Sequence, residues 1–459
     1  MSSDEEQTSL LNNRANYHGQ SHWNRLKKST MIIRALCVFS VLIALAGGTW
    51  IIQRCLNTNK EIDFSSLKDY CKHIPSIQSD EYTGRHERLA KTLEAEGVDA
   101  LIMEGGASMV YYTNIEWSLS ERAFMVILRV NTSEPTGIHT TIVTPAFEAT
   151  RAQESLKRAN LPSLIQPDIV EWLEHKSPFE SVKSLFENDT PESVIIEQNA
   201  RLFIYEGVSG ALKETSVDMA PQSIRKLRMV KSSAELDIMR CANTVTDLAI
   251  RAVRPYIQVG MTEFDIQKIM SSALAVAGLT NTWVLALVDE NAALPHGSSS
   301  TKKITKESTV LIDTGGEFLK YQSDVTRTFF MGERGTNQTI EDAWYLVRRA
   351  QENVLNRTGA GMSCAELDLT ARHIIESGGL GKYFTHRLGH GIGLEGHEEP
   401  YLNQGNTDQF VTPGMTFSVE PGIYITHEFG IRLEDVVVVG QDGKLELLTS
   451  GLAQNPWTL

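Results

Sequence analysis

The sequence predicts an α+β protein: a smaller α/β domain and a larger, internally repeated domain, carried behind a single membrane-spanning helix. Three observations lead there. Residues 35–52 (ALCVFSVLIALAGGTWII) carry no charge over 18 positions, about the minimum for a helix that crosses a bilayer. Helix-like and strand-like patterns alternate from 82 to 225, as in a layered α/β domain. Beyond 226, Gly260-Met261-Thr262 returns as Gly361-Met362-Ser363, an offset of 361 − 260 = 101, and the same offset carries His296 onto His397. An apolar content of 41% against 22% charged residues allows a sizeable core. The formal net charge of -14 argues against nucleic acid, which needs a basic face.

Residues 1–30 are polar and irregular and read as a disordered cytosolic tail. Within it, Glu6, Leu10 and Leu11 follow Asp4 and Glu5 in a pattern that resembles an acidic dileucine sorting signal, read by cytosolic adaptors on proteins bound for vacuoles or lysosomes. The anchor is assigned to 31–53. Arg25, Lys27, Lys28 and Arg34 precede it, against Arg54 and Lys60 after it, so the positive-inside rule leaves the N-terminus in the cytosol and the body in a lumen. Four Asn-x-Ser/Thr sequons, at Asn131, Asn188, Asn337 and Asn356, all follow the anchor, consistent with a lumenal glycoprotein. Residues 54–81 read as a stem in which an oxidising compartment would let Cys55 and Cys71 pair. Cys241 and Cys364 fall on expected helices, as buried thiols.

In the domain expected over 82–225, residues 84–96 (GRHERLAKTLEAE) form an amphipathic helix ending at Gly97, Val98–Met103 a buried strand and Ala123–Leu128 another. This domain shows no His or Cys cluster and no phosphate loop, and no chemistry is assigned to it. The second domain, 226–452, opens on a long helix over 226–257. Thr262 and Ser363, each with an acid three residues on (Asp265 and Glu366), read as N-caps in capping boxes.

The chemistry is expected in His386-Arg387-Leu388-Gly389-His390-Gly391-Ile392-Gly393-Leu394-Glu395-Gly396-His397, where three imidazoles stand among four glycines. Imidazole is the commonest metal ligand and a natural acid–base group near neutrality. Strand Val310–Asp313 and the β-rich run Tyr321–Phe330 offer Asp313 and Asp324, which a strand–turn–strand would bring together. Met415–Glu420 and Ile431–Val439 read as further strands carrying Glu420 and Glu434. Buried carboxylates are costly without partners, and only Arg327 or Arg432 is near in sequence. Four carboxylates and His390 therefore call for cations, two rather than one, with Mn2+, Co2+, Fe2+ or Zn2+ suited to the donor set.

Residues 82–450 resemble the creatinase/prolidase/methionine-aminopeptidase superfamily, whose catalytic domain is the pita-bread fold, and most of all its Xaa-Pro peptidases, aminopeptidase P and prolidase. Asp313 and Asp324, His390 in Gly-His-Gly-Ile-Gly, Glu420 in Val-Glu-Pro-Gly-Ile-Tyr, and Glu434 in Gly-Ile-Arg-Leu-Glu-Asp carry the resemblance, with Lys226–Glu235 as the domain junction. It implies an internal pseudo-twofold and a creatinase-type N-terminal domain. It also implies a dinuclear centre, most simply Mn2+, in which Asp313 serves one metal, His390 and Glu420 the other, and Asp324 and Glu434 bridge both. The shared water would attack the carbonyl before the scissile bond, with Glu420 as proton shuttle and His397 and His386 as donors to the oxyanion. His296 would position substrate, and Arg432 would serve the carboxylate shell or the substrate. A pH optimum close to neutral is expected, with activity falling as the ligands protonate, since His390 must be neutral to bind metal and its reference value is near ~6.5.

The expected substrates are peptides with proline at the second position. Several prolidases carry an Arg after the His-Glu-x-Pro run to hold a dipeptide's carboxylate. Here Tyr401 stands there, which favours an Xaa-Pro aminopeptidase over the alternative, an Xaa-Pro dipeptidase. A metal-free creatinase, a methionine aminopeptidase and an inactive peptide-binding module of the same fold are the remaining alternatives, and the full ligand set speaks against the first and last. The expected partners are these peptides, the bilayer through 31–53 and a sorting adaptor at the tail, with a homodimer left open.

Overall fold

Local chain chemistry sets the first layer of the fold. The computed structural model describes residues 62–297 and 302–458. The stretches expected to form a cytosolic tail with a sorting signal and an anchor at 31–53, together with Cys55, lie outside the described residues. Among the described residues no helix is long and apolar enough to cross a membrane.

Strand Ala100–Met103, buried at every position, pairs antiparallel with Met125–Val130 and parallel with Ser193–Ile196. It lies inside a six-stranded mixed sheet, running from Asp168–Trp172 through Ile138–Pro145, Met125–Val130, Ala100–Met103 and Ser193–Ile196 to Ser216–Met219. A strand buried on both faces reads as a continuous apolar run, which is why 98–103 was legible. The second strand starts two residues later than Ala123 and runs to Val130. The helix after Gln78 spans Ser79–Glu96 and stops on Gly97 in the left-handed region.

The helix expected over 226–257 is two helices, Gln222–Met229 and Ser233–Val253, followed by a 3-10 turn at Arg254–Tyr256. The break has a local cause. Val230 bridges to Met415, the Lys231 N–H donates to the Gly414 carbonyl, and Ser232 and Glu235 form a capping box that starts a new helix.

The 101-residue repeat is visible as two like-built halves. Helices Glu263–Val276 and Cys364–Ser377 both have 14 residues, and both carry full capping boxes, Thr262 with Asp265 and Ser363 with Glu366. Each is preceded by a glycine in the left-handed region, Gly260 at φ 94 and Gly361 at φ 87, a conformation that side chains resist. The first half packs Ser233–Val253 and Glu263–Val276 on a three-stranded sheet of Thr280–Val288, Thr309–Phe318 and Tyr321–Phe330. The second packs Gln338–Arg357 and Cys364–Ser377 on a five-stranded sheet ordered Glu398–Leu402, Gly389–Gly391, Thr416–Val419, Asp435–Val439, Leu445–Leu447. The strand expected over Ile431–Val439 is divided: Phe429–Arg432 pairs in a hairpin with Gly422–Ile425, and Asp435–Val439 enters the five-stranded sheet. Glu434 stands in the gap between them.

The stem is also revised. From Phe64 onward it belongs to the body, with Phe64, Leu67 and Cys71 buried among Val245, Ile250 and Ile266. Cys71 is bonded to Cys241 across a sequence separation of 170, in place of the expected Cys55–Cys71 pair and the free Cys241. Cys364 is a buried free thiol. Closing so long a loop constrains the unfolded chain, so the Cys71→Ser/Cys241→Ser double variant should lose about 2–5 kcal/mol of unfolding free energy. Urea unfolding at equal metal loading measures it; an unchanged midpoint would show that apolar packing alone holds the segment.

Candidate metal centre

Two hairpin strands and one strand junction bring the acids together. In the hairpin Thr309–Phe318/Tyr321–Phe330, Asp313 lies opposite Thr326 and Asp324 opposite Gly315. The two aspartates are thus diagonal neighbours on one face. The turn closes through Leu319 and Lys320, both at positive φ. Thr326 is the pivot to the other half: its Oγ1 donates to Glu434 Oε2 at 2.7 Å, and its carbonyl accepts from the Glu434 N–H at 3.1 Å. His390 is set by Ser418 Oγ, which accepts its N–H at 3.0 Å. The same hydroxyl donates to Glu420 Oε1 at 3.2 Å.

The structure brings all five expected ligand positions together. Ligand atoms of Asp313, Asp324 and Glu434 lie within 4.8 Å of one another, as do those of His390, Glu420 and Glu434. His390 Nε2 is 3.4 Å from Glu420 Oε1 and 3.8 Å from Asp324 Oδ2. Asp313 Oδ1, Asp324 Oδ1 and Glu434 Oε1 are buried and have no hydrogen-bond partner. Three orphaned carboxylate oxygens converging beside an imidazole are what a divalent cation pair would satisfy, and the residues fit one.

The electrostatics of the metal-free site agree. Burial, then Glu434 and Asp313, pushes the Asp324 carboxyl well above the usual range. Burial, then Glu420 and Asp313, does the same to Glu434. Burial raises Glu420 to about 7, with Arg432 opposing it. The His390 ring is held down at about 3 by burial and by His397. Burial thus favours the neutral form of the ring, the form that binds a metal.

Arg432 and Arg327 separate. Arg432 faces the centre: Nη2 donates to Asp313 Oδ2 at 2.5 Å, Nε to Thr326 Oγ1 at 3.1 Å and Nη1 to Tyr424 Oη at 2.9 Å. Its guanidinium is thus held beside the carboxylates by Asp313, Thr326 and Tyr424. Arg327 lies on the opposite strand face, bound to Asp435 and Asp247 and to the Glu434 carbonyl.

Of the three further histidines, His397 is exposed, with its ring centroid 3.9 Å from that of His390. His296 is exposed on the same side and close enough to lower the pKa of His397, after burial and Arg387. His386 is differently placed. Its Nδ1 bonds to the Arg387 carbonyl at 2.6 Å and its Nε2 to Tyr424 Oη at 2.8 Å. A carbonyl can only accept, so Nδ1 carries the proton and Nε2 takes one from Tyr424. Burial and Arg432 hold the ring neutral, at about 3. His386 has no proton left for an oxyanion; it fixes Tyr424 and, through it, Arg432.

Sequence reasoning missed Arg387. Its guanidinium lies 5.2 Å from the centroid of the Tyr401 ring, its Nε is buried without a partner, and among the described residues it makes no ion pair. It lowers the pKa of His397 and opposes the rise at Glu420, so its charge is felt across the centre. Its signal in the sequence was adjacency to His386. A cavity of about 380 Å³ is lined by His397, Tyr401, Glu395 and residues of the N-terminal domain that include Glu104 and Asn199.

Known proteins share this construction. Residues 237–441 match the metallopeptidase family M24, and residues 85–230 match the creatinase/prolidase N-terminal domain. An uncharacterized peptidase of Schizosaccharomyces pombe is 37% identical over 391 residues, 83% of this chain and 84% of that one. The crystal structure of the dipeptidase PepE from Mycobacterium ulcerans superposes with a TM-score of 0.74 at 26% identity, over 82% of this chain and 98% of that one. An Xaa-Pro dipeptidase from Bacillus anthracis gives 0.69 at 26% identity, over 82% and 99%. With a ligand shell built from both halves of the repeat, this chain is a metallopeptidase hydrolase and belongs to family M24, within the pita-bread creatinase/prolidase superfamily.

Proposed function

We propose that this chain is a dinuclear metallopeptidase that hydrolyses the bond between residue Xaa and a following proline, and that free Xaa-Pro dipeptides are its preferred substrates. Arg387 carries the preference. A cation without a carboxylate partner, half-buried beside His397, has the chemistry to hold the free carboxylate that a dipeptide presents one residue beyond the scissile bond. Tyr401 stacks against it, so the position expected to lack an anchor lies next to one supplied from elsewhere in the motif. This favours the dipeptidase reading over the aminopeptidase reading. Two of the solved relatives are named dipeptidases, and another at the same 26% identity is named an X-Pro aminopeptidase, so the preference rests on Arg387.

Asp313, Asp324, His390, Glu420 and Glu434 would hold the cations. Mn2+ suits four carboxylates and one imidazole, with Co2+, Zn2+ and Fe2+ as alternatives. When bound, the pair supplies Lewis acidity that offsets carboxylate charge and acidifies a water. His397 donates a ring proton to the oxygen that gains charge at the scissile carbonyl. Glu420, at the edge of the same centre, would carry a proton from the water to the leaving proline nitrogen. His296 borders the substrate, while Arg432, Tyr424 and His386 keep Asp313 in place.

The reading extends to the compartment. We take 31–53 as a type II signal anchor that places the catalytic domain in a lumen, with the dileucine tail favouring a vacuole or lysosome. The Cys71–Cys241 bridge supports an oxidising compartment, and Asn188, Asn337 and Asn356 are exposed for glycosylation.

The test is Arg387→Met in metal-loaded protein. Loss of a charge-assisted bond worth about 1.5–3 kcal/mol should raise KM for an Xaa-Pro dipeptide by roughly 10- to 150-fold. Xaa-Pro-Yaa-Yaa turnover should change by less than about threefold, within the tenfold-per-1.36-kcal/mol scale. Equal losses on both substrates would overturn the dipeptide preference and leave the peptidase standing.

A further inference from the structure

The loop that carries His397 is clamped from the domain junction. Arg228 and Lys231, at the end of helix Gln222–Met229 and just beyond it, reach the two acids that bracket the loop. Arg228 Nη2 binds Glu395 Oε2 and lies 3.4 Å from Glu398 Oε2. Lys231 Nζ donates to Glu398 Oε1 at 2.9 Å and spends its other protons on the carbonyls of Arg228 and Met229, at 2.8 and 3.0 Å. The Lys231 and Glu398 side chains are 1% and 3% exposed. Glu398 Oε2 also accepts the Glu395 N–H at 3.4 Å, closing the loop on itself. A Cβ at Gly393 would meet Glu398 Oε1 and Lys231 Cε at 2.7 Å, so a side chain there would have to displace this pair.

The clamp continues into the N-terminal domain. Arg228 Nη1 donates to Ser108 Oγ at 3.1 Å, and Ser108 Oγ donates to Glu197 Oε1 at 3.2 Å. Asn199 Nδ2 reaches Glu395 Oε1 at 3.5 Å. A continuous polar path therefore runs from the end of the N-terminal sheet to the residues on either side of His397.

We infer that Arg228, Lys231, Glu395 and Glu398 are positioning residues that set His397 over the metal centre, and that the N-terminal domain acts on catalysis through them. The inference rests on the role given above to His397. A charged pair on each side of one exposed imidazole restricts the loop to one placement, and rate responds steeply to misplacement of about 1 Å.

The experiment uses the metal-loaded full-length chain, an Ala-Pro dipeptide, and Glu395→Gln, His397→Ala and their double variant. Glu395 is 33% exposed in its side chain, so its amide variant should fold. Glu395→Gln should lower kcat by about 10-fold or more with KM and the content of two metals unchanged. In the His397→Ala background it should cost less than about twofold, because the pair acts through one group. Amide hydrogen exchange should rise across 393–399 and nowhere in Gln338–Arg357. Arg228→Lys, which keeps the charge, should retain more activity than Arg228→Met. Full activity of Glu395→Gln, or an undiminished loss in the His397→Ala background, would overturn the clamp. Full activity of His397→Ala itself would instead overturn the role of that histidine.

Discussion

Glu434→Gln should leave the folded chain unable to hold two cations and should lower peptidase activity by about three orders of magnitude or more, since acidification of a water from 15.7 to about 7 is what the metal supplies. The same variant should make the metal-free protein more stable. Glu434 sits at the junction of the two halves, with Oε2 satisfied by Thr326 and Oε1 buried and orphaned. Its carboxyl is held well above its usual range by burial and then by Glu420 and Asp313. Glutamine keeps the Thr326 contact, removes one of four crowded acids and offers donors to Asp313 or Asp324. At alkaline pH the carboxylate must ionise against that burial and crowding, so the variant is expected to be the more stable of the two near pH ~8. Metal analysis and urea unfolding after chelation measure both effects. If the stripped variant were less stable than the stripped parent, Glu434 would be a member of a structural ion-pair network and not a metal ligand.

The parts of the site legible in the sequence are those whose signal is local. Asp313 and Asp324 stand on strands announced by their own apolar runs, and His390 by its glycines. The helix starts at Thr262 and Ser363 show because a capping box needs only four residues. What escaped depends on partners far away in the chain. The break at Val230 is imposed by Met415 and Gly414, so a continuous helical pattern could not reveal it. Cys71 finds Cys241 because Phe64 and Leu67 bury themselves on the same helix. The division of 431–439 into two sheets sets Glu434, buried, at their junction, where period-2 reasoning saw one strand. His386 lies in the motif, yet its two ring nitrogens are committed to Arg387 and Tyr424, a fact of packing. Arg387 differs: adjacency to His386 is its one signal in the sequence, and the missing counterion that marks it is again a fact of packing.

The metal-free protein should be most stable near pH ~6 and should lose stability as pH rises toward ~8, whereas the loaded protein should not. Two groups of residues act in opposite directions. His390 and His386 are held at about 3 and His86 at about 4, each chiefly by burial. From there up to the reference value of ~6.5 the unfolded chain binds more protons than the native one, so stability rises with pH. The acids run the other way. Glu420 is raised to about 7, and Asp324 and Glu434 are raised well above their usual range. From ~4.5 upward the native state holds protons that the unfolded chain has released, so these acids make stability fall as pH rises through their folded values. Below ~6.5 the two effects oppose each other; above it the histidines are silent and the acids alone remain. The expected slope is about 1–3 kcal/mol lost per pH unit, as one or two carboxyls stay protonated only in the native state. Bound cations remove the cause by stabilising the carboxylates, so metal uptake at neutral pH must also release protons. Urea unfolding at pH 6, 7 and 8, with chelator or with Mn2+, reads the first effect. Calorimetric titration of Mn2+ in buffers of different ionisation enthalpy reads the second. Parallel stability curves for stripped and loaded protein, with no proton release, would mean that these carboxylates are already ionised and paired without metal, and the orphaned oxygens of Asp313, Asp324 and Glu434 would need another partner.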